Sequence, residues 1–406
     1  MTLILLIFRR FTMFWTLERT NAMPHQNTVF HALTKNIPWD EFERIVDKRR
    51  SDFRVRRLDT RSQFLAMLYA QLSGASSLRE IEAGLKSHKS SLYHIGAKPA
   101  LRSTLSDANA TRPWEVFGDL FACMVQKASR QTRRKLADIT RIIDATKVKL
   151  PSSGPGWPRV SEHFCGAKVH IVYDPDEALP LKADVTPDNV NDITPAKALD
   201  IEPGATYVFD MGYYDFGWWA KMDAKGCRFV TRLKSHTKLR DTINHDVPGE
   251  TNILSDRIGL LPKRLARSRK NPFANPVREI TVRISTGKII RVVTNDLDAP
   301  AEEIADLYKQ RWQIELFFKW IKQNLKIRRF IGTSENAVRI QVFTALIAYL
   351  LLRTVQKAQS SVKSASAFAH LICLNLMHKR PVDSLCKPYI PPPPDPRQAI
   401  MEFGPC

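Results

Sequence analysis

Residues 306–327 carry the clearest pattern in this chain and read DLYKQRWQIELFFKWIKQNLKI. The stretch has no Gly or Pro and is rich in Leu, Gln, Lys and aromatic residues, so it predicts one helix. At about 100° per residue, the charged side chains of Arg311, Glu315 and Lys322 fall within about 60° of one another, beside Tyr308. A neighbouring stripe is apolar and is expected to face a core; it consists of Leu307, Ile314, Phe318, Ile321 and Leu325.

The charged stripe has an ordinary interpretation and a functional one. Arg311 and Glu315 stand four residues apart, which is the spacing of a common ion pair on a helix surface. A carboxylate flanked by cations, next to a buried stripe, also suits a metal ion and an anionic substrate in one site. The two interpretations differ in what else the chain must contain.

The full spacing, Tyr308-x2-Arg311-x3-Glu315-x6-Lys322, resembles the YREK signature of DDE transposases of the insertion-sequence-4 type. The resemblance extends over roughly residues 25 to 355. It implies an α/β protein with a ribonuclease-H-like catalytic core, a β-rich insertion and an all-helical DNA-binding domain in front. It also implies that Glu315 is the third metal-binding carboxylate, and that two aspartates lie upstream at strand ends.

Two aspartates meet this expectation. Asp144 lies in RIIDATKV, inside a β-branched run, and Asp210 lies in YVFDMGYYD, where the fourth predicted strand ends. A carboxylate within an apolar strand is costly unless it is paired or binds a metal. We therefore expect Asp144, Asp210 and Glu315 to converge as catalytic residues and metal ligands. Asp215, just past the strand end, stays open as an alternative to Asp210.

The expected cofactor is a pair of Mg²⁺ ions, with Mn²⁺ as a substitute, since hard cations prefer oxygen ligands and two ions suit an in-line displacement at phosphorus. The resemblance assigns Tyr308 and Arg311 to the phosphate near the cleaved transposon end, and Lys322 to the backbone beside it. Lys319 and Lys326 either extend this track or are ordinary solvated lysines. Candidates for the family's flipped-base pocket are Trp157, Trp218 and Trp219.

The charge balance points to a polyanionic partner. The chain has 62 Lys and Arg against 41 Asp and Glu, a net charge of +21, and nucleic acid is the leading candidate. We expect double-stranded DNA, both transposon terminal inverted repeats and target DNA, with a homodimer in the synaptic complex and no membrane. Six cysteines without a CxxC pair indicate neither a zinc ribbon nor a disulfide scaffold and fit the cytoplasm of a bacterium, near its nucleoid.

The N-terminal region reads as short helices joined by tight turns. A polar stretch at residues 101–109 carries Arg102, Ser103, Thr104 and Asn109, which suits a helix-turn-helix-like DNA reader. A plain helical bundle explains the same pattern, and the resemblance favours DNA binding through Arg102 and Ser103. An apolar run at residues 342–352 is about half the length of a membrane span and predicts a buried helix.

Three functions fit these patterns. The first is a transposase that cleaves insertion-sequence ends and transfers the strands into target DNA; the second is a nuclease of the same fold without strand transfer; the third is a catalytically decayed or domesticated DNA-binding protein.

The sequence predicts six segments. Residues 1–22 are a candidate leader before a start at Met23, and residues 23–136 are a helical DNA-binding domain. The first part of the core follows in 137–233, a β-rich insertion in 234–300, the second part of the core with the signature helix in 301–357, and a C-terminal helix with a Pro-rich tail in 358–406.

Overall fold

The N-terminal third is helical. A computed structural model describes residues 27–129, 139–150, 157, 159–161, 164–247, 251–264, 269–325, 330–359, 362 and 364–387; the candidate leader lies outside these residues. The first seven helices are α1 (Val29–Thr34), α2 (Trp39–Lys48), α3 (Thr60–Ser73), α4 (Leu78–Ser87), α5 (Lys89–Leu92), α6 (Arg102–Thr111) and α7 (Glu115–Ser129). Asp59 caps α3 and Ser77 caps α4 with their side-chain oxygens. α3 is buried along almost its whole length and forms the centre of this region.

The following strands form the core of a mixed sheet. They are β1 (Thr140–Leu150), β2 (Arg159–Ser161), β3 (Phe164–Asp174), β4 (Leu179–Pro187), β5 (Thr206–Phe209) and β6 (Arg228–Arg232). β1 pairs antiparallel with β3 and β3 with β4, whereas β1, β5 and β6 run parallel to one another. α8 (Ile193–Lys197) precedes β5, and α9 (Phe216–Ala224) connects β5 to β6. This order, β4-β3-β1-β5-β6, confirms the predicted ribonuclease-H-like α/β class.

The β-rich segment continues the same sheet. Its strands are β7 (Arg240–His245), β8 (Ile253–Leu260), β9 (Pro276–Arg283) and β10 (Ile289–Thr294). β10 pairs antiparallel with β6, and the sheet then runs through β9 and β8 to β7. The inserted strands therefore form one edge of a sheet that contains ten strands in the described part of the chain. The domain boundaries expected from the sequence stay a prediction.

The C-terminal helices differ from expectation at the signature stretch. They are α10 (Ala301–Gln310), α11 (Trp312–Asn324), α12 (Glu335–Lys357), α13 (Ala365–Asn375) and α14 (Val382–Leu385). The single helix predicted for residues 306–327 is wrong, because it is divided at Arg311. There the hydrogen bonds span three residues, from Arg311 N–H to the Tyr308 carbonyl (3.2 Å) and from Ile314 N–H to the Arg311 carbonyl (3.3 Å). Such three-residue bonds tighten the turn locally.

The prediction of a buried helix in residues 342–352 is confirmed by α12. Among the described residues this is the one helix that is long and apolar enough to cross a membrane, yet 78% of its apolar window is buried inside the protein. It packs against α3, α6 and α7, and Phe343 stacks on Trp114 with ring centroids 5.4 Å apart. The helix thus joins the N-terminal helices to the sheet through one continuous hydrophobic cluster.

Candidate active site

The two predicted aspartates lie side by side at the centre of the sheet. In the parallel pairing of β1 and β5, Ile143 is opposite Phe209, so Asp144 and Asp210 are the next residues on neighbouring strands. Side chains alternate between the two faces of a strand. Ile142 belongs to the cluster that contains α11, and Ile143 to the opposite cluster. Asp144 therefore faces the helices α10 and α11.

The junction of α10 and α11 brings the signature residues over these aspartates. α10 packs on β5 and β6, and α11 packs on β1. The apolar stripe of the signature stretch is buried, as its spacing predicts. Tyr308 is also buried, at 8% exposure, and the guanidinium carbon of Arg311 lies 5.7 Å from the centre of its ring.

Arg311 contacts both Asp144 on β1 and Glu315 on α11. Its Nη2 is 2.7 Å from a Glu315 carboxylate oxygen, and its Nη1 is 3.7 Å from a carboxylate oxygen of Asp144. The side chains of Arg311 and Asp144 are 17% and 16% exposed, whereas Glu315 is 36% exposed. The ordinary i,i+4 pair is thus present, and the same arginine also contacts Asp144 on β1.

The pKa of Asp144 reflects this crowding. The pKa of Asp144 is raised from 3.8 to about 7, chiefly by burial and also by the negative charges of Asp210 and Glu315, which together outweigh the lowering effects of the Ala145 N–H and Arg311. The Ala145 N–H donates to Asp144 Oδ1 at 2.8 Å. Asp210 Oδ1 accepts from the Gly212 N–H at 2.7 Å. The neighbouring negative charges thus favour the protonated form of Asp144.

The carboxylates of Asp144, Asp210 and Glu315 have the chemistry of ligands for a hard divalent metal, but the three are not grouped around one point. Carboxylate oxygens are the ligands that Mg²⁺ and Mn²⁺ prefer. Within the part of the chain that the structure describes, however, no three His, Cys, Asp or Glu side chains are grouped closely enough to hold one ion. The guanidinium of Arg311 lies between Asp144 and Glu315 and partly supplies the positive charge.

Asp215, the alternative to Asp210, is engaged elsewhere. Its side chain caps α9 by accepting from the Trp218 N–H at 2.8 Å, and it pairs with Lys197 at 2.6 Å. Although burial alone raises the pKa of Asp215, hydrogen bonds from Lys197 and Trp218 outweigh burial and hold the pKa below its usual value. This carboxylate is a structural cap, which leaves Asp210 beside Asp144.

The other predicted DNA-contacting residues that the structure describes lie on α11 and on α6. Lys322 is half-buried on α11 and Lys319 is exposed, while Lys326 lies outside the described residues. Arg102 and Ser103 are exposed at the start of α6, where the Arg102 N–H donates to Glu82 at 2.9 Å. The structure therefore gathers Asp144, Asp210, Tyr308, Arg311 and Glu315, and leaves the α6 residues in the separate helical region.

Two expectations drawn from polar and aromatic residues are wrong. Trp218 and Trp219 are 1% and 0% exposed, so neither can receive a flipped base without opening the core; Trp157 is half-buried. Asn109 is not on a DNA-reading face, because it is 3% exposed and accepts from Gln63 at 2.8 Å. Helical spacing alone did not separate these buried side chains from exposed ones.

The sequence analysis did not predict that Asp192 and Tyr213 lie close to Asp210 and Gly212. A Cβ placed on Gly212 would lie 2.9 Å from Asp210 Oδ1 and 3.2 Å from Asp192 Oδ2. Asp192 pairs with Lys168 at 2.8 Å. Tyr213 is 1% exposed, and its hydroxyl has no hydrogen-bond partner in the described part of the chain. The sequence signal for this group is Gly212, which stands between Asp210 and Tyr213.

Comparison with known proteins identifies the family. The model for the transposase DDE domain matches residues 136–351, and the model for a domain of unknown function (DUF4372) matches residues 25–98. The chain is 39% identical over 284 residues to a putative transposase, y4zB, of Sinorhizobium fredii (strain NBRC 101917 / NGR234), covering 70% of this chain and 80% of that protein. It is 32% identical over 255 residues to a probable transposase for insertion sequence element IS5377 of Geobacillus stearothermophilus, covering 62% and 66%.

The chain belongs to the transposase DDE domain family. The resemblance to transposases of the insertion-sequence-4 type and the predicted enzyme class, a DDE transposase acting in DNA transposition, are thereby confirmed. A cryo-EM structure of the piggyBac transposase synaptic complex with hairpin DNA shares 12% sequence identity at a TM-score of 0.41, covering 88% of this chain and 79% of that chain.

Proposed function

We propose that this transposase cleaves DNA at the ends of its insertion sequence and transfers the strands into target DNA, with Asp144, Asp210 and Glu315 as metal ligands. The observation that carries the proposal is the juxtaposition of Asp144 and Asp210 on neighbouring parallel strands, with Glu315 linked to Asp144 through Arg311. Burial, together with the charges of Asp210 and Glu315, raises the pKa of Asp144 to about 7, and a bound divalent cation would lower that pKa again.

The cofactor of the proposed reaction is a pair of Mg²⁺ ions, for which Mn²⁺ can substitute. When bound, such ions activate the attacking oxygen and stabilise the leaving 3′ oxygen of an in-line displacement. The chain's own contribution is to supply Asp144 and Asp210 from rigid strands and Glu315 from α11. Because Asp210 is held by the Gly212 N–H, its carboxylate is already oriented.

Arg311 has two roles in this proposal, one before and one after DNA binds. Without DNA it neutralises Asp144 and Glu315. With DNA it turns to a phosphate near the cleaved end, where a guanidinium makes two parallel hydrogen bonds. The ring of Tyr308 lies against the Arg311 guanidinium. Lys322 contacts the adjacent DNA backbone as a point charge.

The proposed partners follow from charge and from the reaction. A net charge of +21 suits long stretches of duplex DNA, here the terminal inverted repeats and the target. Joining two ends requires two active sites, so a homodimer is the proposed synaptic state, working in the cytoplasm at the nucleoid. The domains proposed from the sequence assign end recognition to residues 23–136 and chemistry to the core.

A labelled duplex carrying the terminal repeat, incubated with purified protein, Mg²⁺ and a target plasmid, tests the proposal. The expected products are a cleaved end and its covalent joint with the target. Cleavage without joining would favour a nuclease without strand transfer. Binding without cleavage in Mg²⁺ and in Mn²⁺ would favour a decayed or domesticated DNA-binding protein.

Arg311→Ala is expected to weaken binding of the cleaved end by roughly 1.5–3 kcal/mol, the usual contribution of a charge-assisted hydrogen bond. Titration of the protein with a labelled, pre-cleaved end measures this loss. Arg311→Lys should recover it only in part, because one ammonium cannot make a two-pronged contact. Lys322→Ala should weaken the same complex, and Mn²⁺ binding should persist in all three variants.

The matched control for Arg311 is Arg44→Ala, which also removes an arginine from an ion pair on a helix. Arg44 is 71% exposed and pairs with Glu41 on α2, at 3.0 Å. Its loss should leave cleavage and joining unchanged. Parental cleavage and joining by both Arg311→Ala and Lys322→Ala would reduce the charged stripe to a helix surface.

Gly212→Ala is expected to lower the cleavage rate by about 10²-fold while the protein stays folded, since a displacement of about 1 Å in a catalytic group has an effect of this size. The new methyl group would lie 2.9 Å from Asp210 Oδ1 and would push that carboxylate out of position. Single-turnover cleavage measures the rate, and thermal unfolding measures the fold. Gly226→Ala is the control for the rate: nothing lies within 4 Å of a Cβ there, so the left-handed φ of 67° should lower stability but leave the cleavage rate of the folded protein unchanged. A parental rate for Gly212→Ala would show that Asp210 tolerates displacement.

A further inference from the structure

A loop rich in arginine connects α2 to α3 in the N-terminal region. Residues 49–57 read RRSDFRVRR and contain five arginines against one aspartate. Arg50, Arg54, Arg56 and Arg57 are exposed, and none of them forms an ion pair with a residue that the structure describes. We call residues 50–57 the arginine loop. It concentrates unneutralised positive charge at one place on the helical region.

The base of the arginine loop is fixed by buried hydrogen bonds. Asp52 Oδ1 accepts from both the backbone N–H and the hydroxyl of Thr60, at 2.8 and 2.7 Å. Ser51 is 5% exposed and shares a 2.7 Å hydrogen bond with the Thr60 hydroxyl. Just before the loop, Arg49 pairs with Asp119 of α7 at 2.7 Å. These contacts hold the first residues of the arginine loop against the start of α3.

An exposed aromatic ring arranges two of the arginines. Phe53 is 58% exposed, and the guanidinium carbons of Arg50 and Arg54 lie 4.6 and 5.1 Å from its ring centre. Both arginines have a left-handed backbone, with φ of 52° and 61°. Non-glycine residues in this region are uncommon and concentrate at functional sites. Cation–π contacts with Phe53 hold both charged groups at a fixed spacing.

We propose that the arginine loop binds the sugar-phosphate backbone of duplex DNA, at a site separate from the acids and the signature helices. Arginine is the side chain best suited to phosphate, because its planar group donates two parallel hydrogen bonds. Phosphate contacts fix the position of a protein on DNA without reading bases. The loop would thus hold the helical region on DNA of any sequence. This inference rests on the proposed function, since it takes transposon or target DNA as the ligand.

Salt dependence of DNA binding by the full-length protein tests the proposal. Each phosphate contact that is lost should make the slope of log K against log salt concentration less steep by about 0.9. The double variant Arg50→Ala/Arg54→Ala should therefore flatten the slope by about 1.8, and it should bind at least about tenfold more weakly in low salt. The change should be equal for a terminal-repeat duplex and for an unrelated duplex. Alanine keeps the Cβ, so backbone strain is unchanged.

The control is Lys86→Ala/Lys89→Ala, which removes the same charge from exposed positions on α4 and α5. It should leave the slope within experimental error of the parent. An unchanged slope in the Arg50/Arg54 variant, an equal flattening in the lysine control, or a loss confined to the terminal-repeat duplex would each overturn the proposal. A parent protein that binds no duplex would overturn the proposed function itself.

Phe53→Ala separates the role of the ring from the role of the charges. The variant keeps both arginines, so its salt slope should equal that of the parent, while its affinity should fall several-fold because the guanidinium groups are no longer held. Phe53→Tyr should restore the affinity, since the ring is retained. Parental affinity of Phe53→Ala at every salt concentration would overturn the positioning of the arginines by this ring.

Discussion

Replacement of Asp144, Asp210 or Glu315 by alanine is expected to abolish DNA cleavage, with a fall of at least about 10³-fold, because a metal clamp contributes several kcal/mol to the transition state. Asp144 and Asp210 lie on neighbouring parallel strands, β1 and β5, and Glu315 on α11 is linked to Asp144 through Arg311; in the proposed reaction each of the three would hold metal. Single-turnover assays with a labelled end, in Mg²⁺ and in Mn²⁺, measure the effect. DNA binding should survive, because the arginine loop and the other basic residues are untouched.

The matched control is Asp215→Ala, which removes an aspartate five residues from Asp210 that caps α9. It should lower the free energy of unfolding by about 1 kcal/mol, the usual effect of losing a cap, while the cleavage rate of the folded protein stays near that of the parent. Substantial cleavage by Asp210→Ala together with loss of cleavage by Asp215→Ala would exchange the roles of the two residues.

Asp144→Asn is expected to stabilise the metal-free protein at pH 8 by up to about 4 kcal/mol, the free energy that corresponds to a pKa of about 7 against 3.8. The native protein binds a proton at Asp144 more tightly than the unfolded chain does. The contribution of Asp144 to stability is therefore complete below about pH 4 and is lost as the pH rises towards 7. The gain from Asn should accordingly grow from pH 4 to pH 7 and then level off.

Chemical denaturation at several pH values in a metal chelator measures this gain. Asp215→Asn is the opposite control, because hydrogen bonds from Lys197 and Trp218 outweigh burial and lower the pKa of Asp215. That substitution should destabilise the protein above the usual pKa of an aspartate. A flat pH profile for Asp144→Asn would contradict the burial and like-charge crowding assigned to Asp144.

The strands and their acids were predictable from sequence because the physical signals are local. A β-branched run that contains Asp144 and a second run that ends at Asp210 predict strands, and the ribonuclease-H-like order places both at the centre of the sheet. The i,i+4 spacing of Arg311 and Glu315 likewise predicts their contact, which is observed at 2.7 Å. The buried stripe of the signature stretch follows from the same helical period.

Features that depend on long-range packing were not predictable in this way. The break at Arg311 arises where α10 leaves β5 and β6 and α11 begins to follow β1, and nothing in the composition of residues 306–327 marks it. By sequence, Trp218 and Trp219 are candidates for the flipped-base pocket, but they pack into an aromatic cluster around Phe209 and Phe229. The contact of Arg311 with Asp144 joins residues far apart in sequence, so local spacing gives no sign of it.

The most direct test of the central claim is anomalous scattering from Mn²⁺ in crystals of the protein bound to a DNA end. If Arg311 turns to the phosphate, Mn²⁺ is expected at about 2.1 Å from oxygens of Asp144, Asp210 and Glu315. This is the usual distance for Mg²⁺ and is similar for Mn²⁺. Mn²⁺ located elsewhere, with Arg311 still against Glu315, would contradict the account.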